Sequence, residues 1–251
     1  MQRSKQRNEF PRGSLEEPKI VVPEVTAEVL FNAIFGPESV ESYYMSRYSA
    51  LEEFTESKFE VYLDLNGRIH VSELKLGAPD STDTSGRSDE SSELDSAPVF
   101  SLPLMYFHMH PEYEKFVLPS VYQNKKGDLF NLFTQTGDNP FGVETRCIYV
   151  IGQTKLDGSV DLLILQRKGG QMTPKAATAA CTFIEEKVRE LEQGVGTTTA
   201  RVAAALDRSP ELNAMAVTLP GAIDGFKPTL EHYGPLLGRF AYKPEVAKRR
   251  L

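Results

Sequence analysis

Val99-Phe100-Ser101-Leu102-Pro103-Leu104-Met105-Tyr106-Phe107-His108-Met109-His110-Pro111 is the stretch on which the reading of this chain turns. Val99 to Phe107 is apolar and short, which suits a strand buried inside a sheet. The run ends on two of the four histidines in the chain, one residue apart. Strand side chains repeat every two residues, so the rings of His108 and His110 leave the same face. Pro111 cannot extend a ladder, so the strand is expected to stop there, with both rings at an open edge. Two imidazoles on one face can grip one metal ion from one direction. A catalytic zinc takes three protein ligands and leaves its fourth position to water, so a carboxylate must complete the set.

Downstream, Pro119-Ser120 and Asp128-Leu129 supply a hydroxyl and a carboxylate. Asp128-Leu129-Phe130-Asn131-Leu132-Phe133 reads as the first turns of a helix, which would hold Asp128 on a rigid element. Two more strands follow, Cys147–Ile151 and Val160–Leu165, joined at Asp157-Gly158. Upstream, Val25–Phe35 reads as an amphipathic helix stopped at Gly36-Pro37, and Ser39 is a candidate N-cap for a second helix reaching about Phe54. Phe59–Leu65 and Arg68–Leu74 both alternate apolar and polar residues around Asn66-Gly67, the pair favoured in type I′ hairpin turns. Residues 77–97 are acidic, rich in Ser and Asp and nearly free of apolar groups, and are expected to be disordered. Helices are expected over about Pro174–Glu192, Thr197–Asp207 and Pro210–Val217.

The resulting order predicts an α/β protein with a central mixed sheet and flanking helices. Three parts are expected: a loose tail over 1–20, a sheet domain over 21–170 and a mainly helical segment over 171–251.

His108-x-His110-Pro111, Ser120 and Asp128, preceded by a Glu-bearing strand, resemble the JAMM (MPN-type) zinc metalloproteases. The likeness in element order covers roughly residues 25–167. Three features depart from the family pattern. Asp128 lies eight residues after Ser120 rather than three, Met109 stands where a small hydroxylated residue is usual, and no glycines follow the strand Glu.

The resemblance implies the cytidine-deaminase-like architecture of JAB/MPN domains, with Zn²⁺ held by His108, His110 and Asp128. Asp138 is the alternative third ligand. Glu60, on the polar face of Phe59–Leu65, is the expected general base, with Glu56 as the alternative. The Ser120 hydroxyl would donate to the oxyanion. The implied reaction is hydrolysis of a peptide bond, or of an isopeptide bond to a ubiquitin-like modifier. A catalytically silent scaffold of the same fold, and metal-assisted hydrolysis of a non-peptide substrate, are the alternatives.

The chain has 251 residues, 40% hydrophobic and 25% charged, which allows a full core. A net charge of −7 argues against a general nucleic-acid binder. No apolar run is long enough for a membrane span, and the basic start Met1–Arg7 is followed by no apolar segment of a secretory signal. Two cysteines, Cys147 and Cys181, make neither a disulfide framework nor a cysteine zinc site, so a cytoplasmic setting is expected. His70 and His232 stand alone in the sequence. Tyr43, Tyr44 and Tyr48, at helical spacing, are expected to pack. The mixed charges of Glu185–Glu192 suit pairing along a helix.

Overall fold

In the computed structural model, residues 21–53, 56–76, 100–110, 116–120, 127–134, 143–220 and 227–246 are described. The expected acidic insert, Pro111 and Asp138 lie outside these residues.

Thr26 opens helix α1 (Ala27–Phe35), its side chain accepting from the Val29 N–H. Helix α2 (Pro37–Glu53) follows after one residue. Pro37 is its first residue, where a missing N–H costs nothing, so the helix begins ahead of Ser39. Strands β1 (Ser57–Asp64), β2 (Ile69–Val71), β3 (Lys75–Leu76) and β4 (Ser101–His110) come next. Helix α3 (Asp128–Thr134) leads to β5 (Val143–Glu144), β6 (Ile148–Thr154) and β7 (Val160–Arg167). The chain then forms α4 (Pro174–Glu192), α5 (Thr199–Leu206), β8 (Leu212–Leu219), α6 (Leu230–Leu237) and β9 (Glu245–Val246).

The main sheet runs β2-β1-β4-β6-β7-β8, with β3 also pairing β1. β4 and β6 are parallel, and the other pairs are antiparallel, so the sheet is mixed. Alternation divides the side chains between two apolar layers. Phe59, Val61, Phe107, Met109, Val150, Leu162, Ile164 and Val217 face a core shared with α1 and α6. Tyr149, Ile151, Leu163, Leu165, Leu212 and Ala214 face a second core shared with α3, α4 and α5. β1 contributes no residue to this second core, so α3–α5 lie over the β6–β8 half of the sheet.

Two expectations are corrected. The span expected as a helix near Pro210–Val217 is the edge strand β8, paired in full register with β7. Covered on both faces, β8 shows none of the alternation that marks a half-buried strand. The Asn66-Gly67 turn is not type I′, because among the described residues Phe100 alone of the non-glycines has positive φ. The Gly67 N–H donates to Asp64 O at 3.0 Å, and Gly67 takes φ +77°. This is a type I turn with glycine in the left-handed position after it. The Asp64 carboxylate locks it, accepting from Asn66 N–H (2.8 Å) and Arg68 N–H (2.9 Å).

Tyr43 and Tyr44 are buried, as the helical spacing suggests, while Tyr48 is half-exposed with the Arg47 guanidinium over its ring. Cys147 and Cys181 are free thiols. Among the described residues, no helix is long and apolar enough to cross a membrane.

Candidate metal centre

His108 and His110 end β4 on the sheet face that α3 crosses, while Met109 between them is buried in the opposite core. That burial explains the departure at Met109, since an apolar residue is what the core requires there. Asp128 opens α3, whose Leu129, Phe130, Leu132 and Phe133 are buried in the second core and fix the helix over the sheet. Arg167 on β7 secures the far end of this helix, donating to the carbonyls of Leu132 and Phe133 at 3.4 Å.

The three side chains converge. His108 Nε2 lies 3.2 Å from His110 Nε2 and 3.1 Å from Asp128 Oδ1, and His110 Nε2 lies 3.8 Å from Asp128 Oδ2. Ligands about 2.0–2.1 Å from a zinc ion at tetrahedral angles stand about 3.3 Å apart. The contacts are near that spacing, and one ligand atom from each of the three residues lies within 4.8 Å of the other two, so the group could hold a metal ion. His108 Nδ1 is buried without a hydrogen-bond partner among the described residues, so the ring is oriented through Nε2, by Asp128 and His110, and by its contact with Tyr106.

The electrostatics are those of a pre-formed cation site. Burial disfavours charge on His108, but the adjoining Asp128 carboxylate outweighs burial and raises its pKa. Burial, together with the charge on His108, lowers His110 to about 4, so its ring is neutral near pH 7. Burial would raise Asp128, but the charge of His108 and its hydrogen bond hold the carboxyl well below the usual range.

Ser120 and Asp128 are bound reciprocally. The Ser120 N–H donates to Asp128 Oδ2 at 2.6 Å, and the Asp128 N–H donates to Ser120 Oγ at 3.0 Å. The eight-residue separation is thus bridged by two bonds, and the Ser120 hydroxyl proton remains available on an exposed side chain.

The two candidate bases stand differently. Lys58 pairs with His108 across the ladder and Glu60 with Tyr106. The Glu60 carboxylate accepts from the Tyr62 hydroxyl, further along β1 and away from the histidines. Glu56 immediately precedes Ser57, the first residue of β1 and the Cα partner of Met109. The Glu56 charge acts on His108, helping to raise its pKa.

Sequence reading alone did not single out Tyr106 and Tyr149. Tyr106 lies between His108 and Tyr149, with ring centres 5.9 and 5.1 Å away. The signal available was position, since Tyr106 precedes His108 by one strand repeat. His70 is bound to Asp64 at 3.0 Å in the hairpin, far along β1 from this centre. The chain matches no protein-family model, no curated protein and no solved structure.

Proposed function

We propose that this protein is a JAMM-like zinc metallopeptidase that hydrolyses a peptide or isopeptide bond. The observation that carries the reading is the convergence of His108, His110 and Asp128 at ligand spacing, on a strand end and a helix start in the order that family uses. Zn²⁺ is the ion we assign, because two imidazoles and one carboxylate, with a place left for water, suit a catalytic zinc. Bound there, zinc would supply Lewis acidity and a water acidified to about neutral pKa.

The residues of the chain would do the rest. Of the two glutamates, we take Glu56 as the base, because its charge acts on His108 whereas the Glu60 carboxylate turns to Tyr62. It would take the proton of the attacking water and deliver it to the nitrogen of the leaving amine. The Ser120 hydroxyl, held by its bond with the Asp128 backbone, would donate to the carbonyl oxygen as charge builds there.

Metal analysis and a peptide-amide assay test this together. The purified chain should bind about one equivalent of zinc, and His110→Ala should lose both metal and hydrolysis. Glu56→Gln should keep the metal while hydrolysis of an uncharged peptide amide falls by about 10²–10⁴. A chain that takes up no zinc, or hydrolyses as well without it, ends this reading.

A further inference from the structure

We propose that Glu60, with Tyr62, Tyr106 and Tyr149, forms a subsite for a cationic side chain of the substrate, lysine or arginine, next to the bond to be cut. The inference rests on the proposed hydrolase reading for what the neighbouring centre does. The subsite stands on its own observations.

Glu60 lies on the same sheet face as His108, paired across the ladder with Tyr106, which immediately precedes the histidines on that face. Its carboxylate is partly buried. The Tyr62 hydroxyl donates to Oε2, and the backbone N–H of Glu60 donates to Ser72 Oγ at 2.9 Å. Among the described residues, no lysine or arginine pairs with it, and Oε1 has no donor. An incoming ammonium or guanidinium would pair with this carboxylate through charge-assisted hydrogen bonds.

The surroundings suit a cation. Tyr106, half-buried, stacks on Tyr149 with ring centres 5.1 Å apart, giving an aromatic face beside the carboxylate on which a cation is attracted. The subsite adjoins the metal centre, because both Asp128 and Glu60 act on the Tyr149 phenol and help to raise its pKa. The net charge of −7 favours approach of a positive segment.

Binding of N-acetyl-lysine methylamide, compared with its norleucine and glutamate counterparts, tests the subsite on the full chain as purified. The lysine compound should bind tighter than norleucine on the order of tenfold. The ratio should fall to about one in Glu60→Gln, and in Glu60→Lys the glutamate compound should become the better ligand. Equal binding of lysine and norleucine by the wild type, or a ratio unchanged in Glu60→Gln, overturns the subsite. Peptides carrying either residue beside the scissile bond separate this outcome from the hydrolase reading. Selective binding without cleavage of either peptide keeps the subsite and removes the hydrolase. Cleavage with equal KM for both keeps the hydrolase and removes the subsite.

Discussion

His108 and His110, with Nε2 atoms 3.2 Å apart, disfavour a second proton in the space they share. Asp128 favours a proton on His108, and burial, with charge on His108 added to it, lowers His110 to about 4. A metal ion entering near pH 7 therefore meets His110 already free, and any proton carried by His108 must leave for the ion to bind. Zinc affinity should rise with pH until His108 is itself deprotonated. Below about pH 4 His110 also binds a proton, so the dependence should steepen from one proton toward two. Calorimetry of zinc binding in buffers of differing ionisation enthalpy reads the proton count directly, and release of no proton at pH 6 would contradict the assignment.

Ser120 gives a second test at this scale. Ser120→Ala removes the acceptor for the Asp128 N–H but leaves the backbone N–H that holds the carboxylate. Stability should fall by about 1 kcal/mol, as for loss of a helix cap, with zinc retained. Hydrolysis should fall by about 10²–10³ if the hydroxyl serves the carbonyl oxygen.

At the scale of elements, the centre depends on how β4 sits against β6 and how α3 sits over both. Gly152 on β6 is the Cα partner of Met109, between the two histidines. A Cβ at Gly152 would lie 2.9 Å from the Phe107 ring and 3.4 Å from Leu162. Phe107 is fully buried and stacked on Phe59 and Tyr43, so it has no room to withdraw. Gly152→Ala should cost about 1–3 kcal/mol by overpacking. It should also weaken zinc binding, although the residue touches no ligand. A thermal melt and a zinc titration of the same variant check both.

The Gly67 turn makes a contrast within the same sheet. A Cβ there meets nothing, but φ is +77°, so Gly67→Ala should cost about 1 kcal/mol through backbone strain alone and leave zinc binding unchanged.

For the whole molecule, the C-terminal third completes the sheet. β8 pairs with β7 over eight residues, and α4 and α5 supply Ala177, Cys181, Ile184, Val188, Val202 and Leu206 to the second core. Leu163, Leu165, Ile151 and Tyr149 are covered by that layer, and α3 rests against α4. A chain ending at residue 170 should therefore fail to unfold cooperatively and should bind zinc weakly, because α3 loses its support. Calorimetry on the truncated chain checks this, and a sharp transition at the full-length temperature would contradict it.

The sequence by itself determined the local pieces. Patterned or punctuated segments were legible from their own residues: α1 from its apolar stripe, α4 and α5 from their spacing, the β1–β2 hairpin from alternation about Asn66-Gly67. So was the His-x-His pair, because period-two geometry needs no partner to place two rings on one face. Tertiary structure decided what depends on distant neighbours. β8 is a strand because β7 offers it a ladder and both its faces are packed into apolar cores, whereas its sequence, Leu-Asn-Ala-Met-Ala-Val-Thr-Leu, carries no clean alternation. Asp128 joins the histidines because α3 is pressed onto the sheet by a core drawn from α4 and α5. Glu60 is set opposite Tyr106 rather than a histidine by the register of β1 against β4, and a register is a relation between two strands that neither strand's own residues specify.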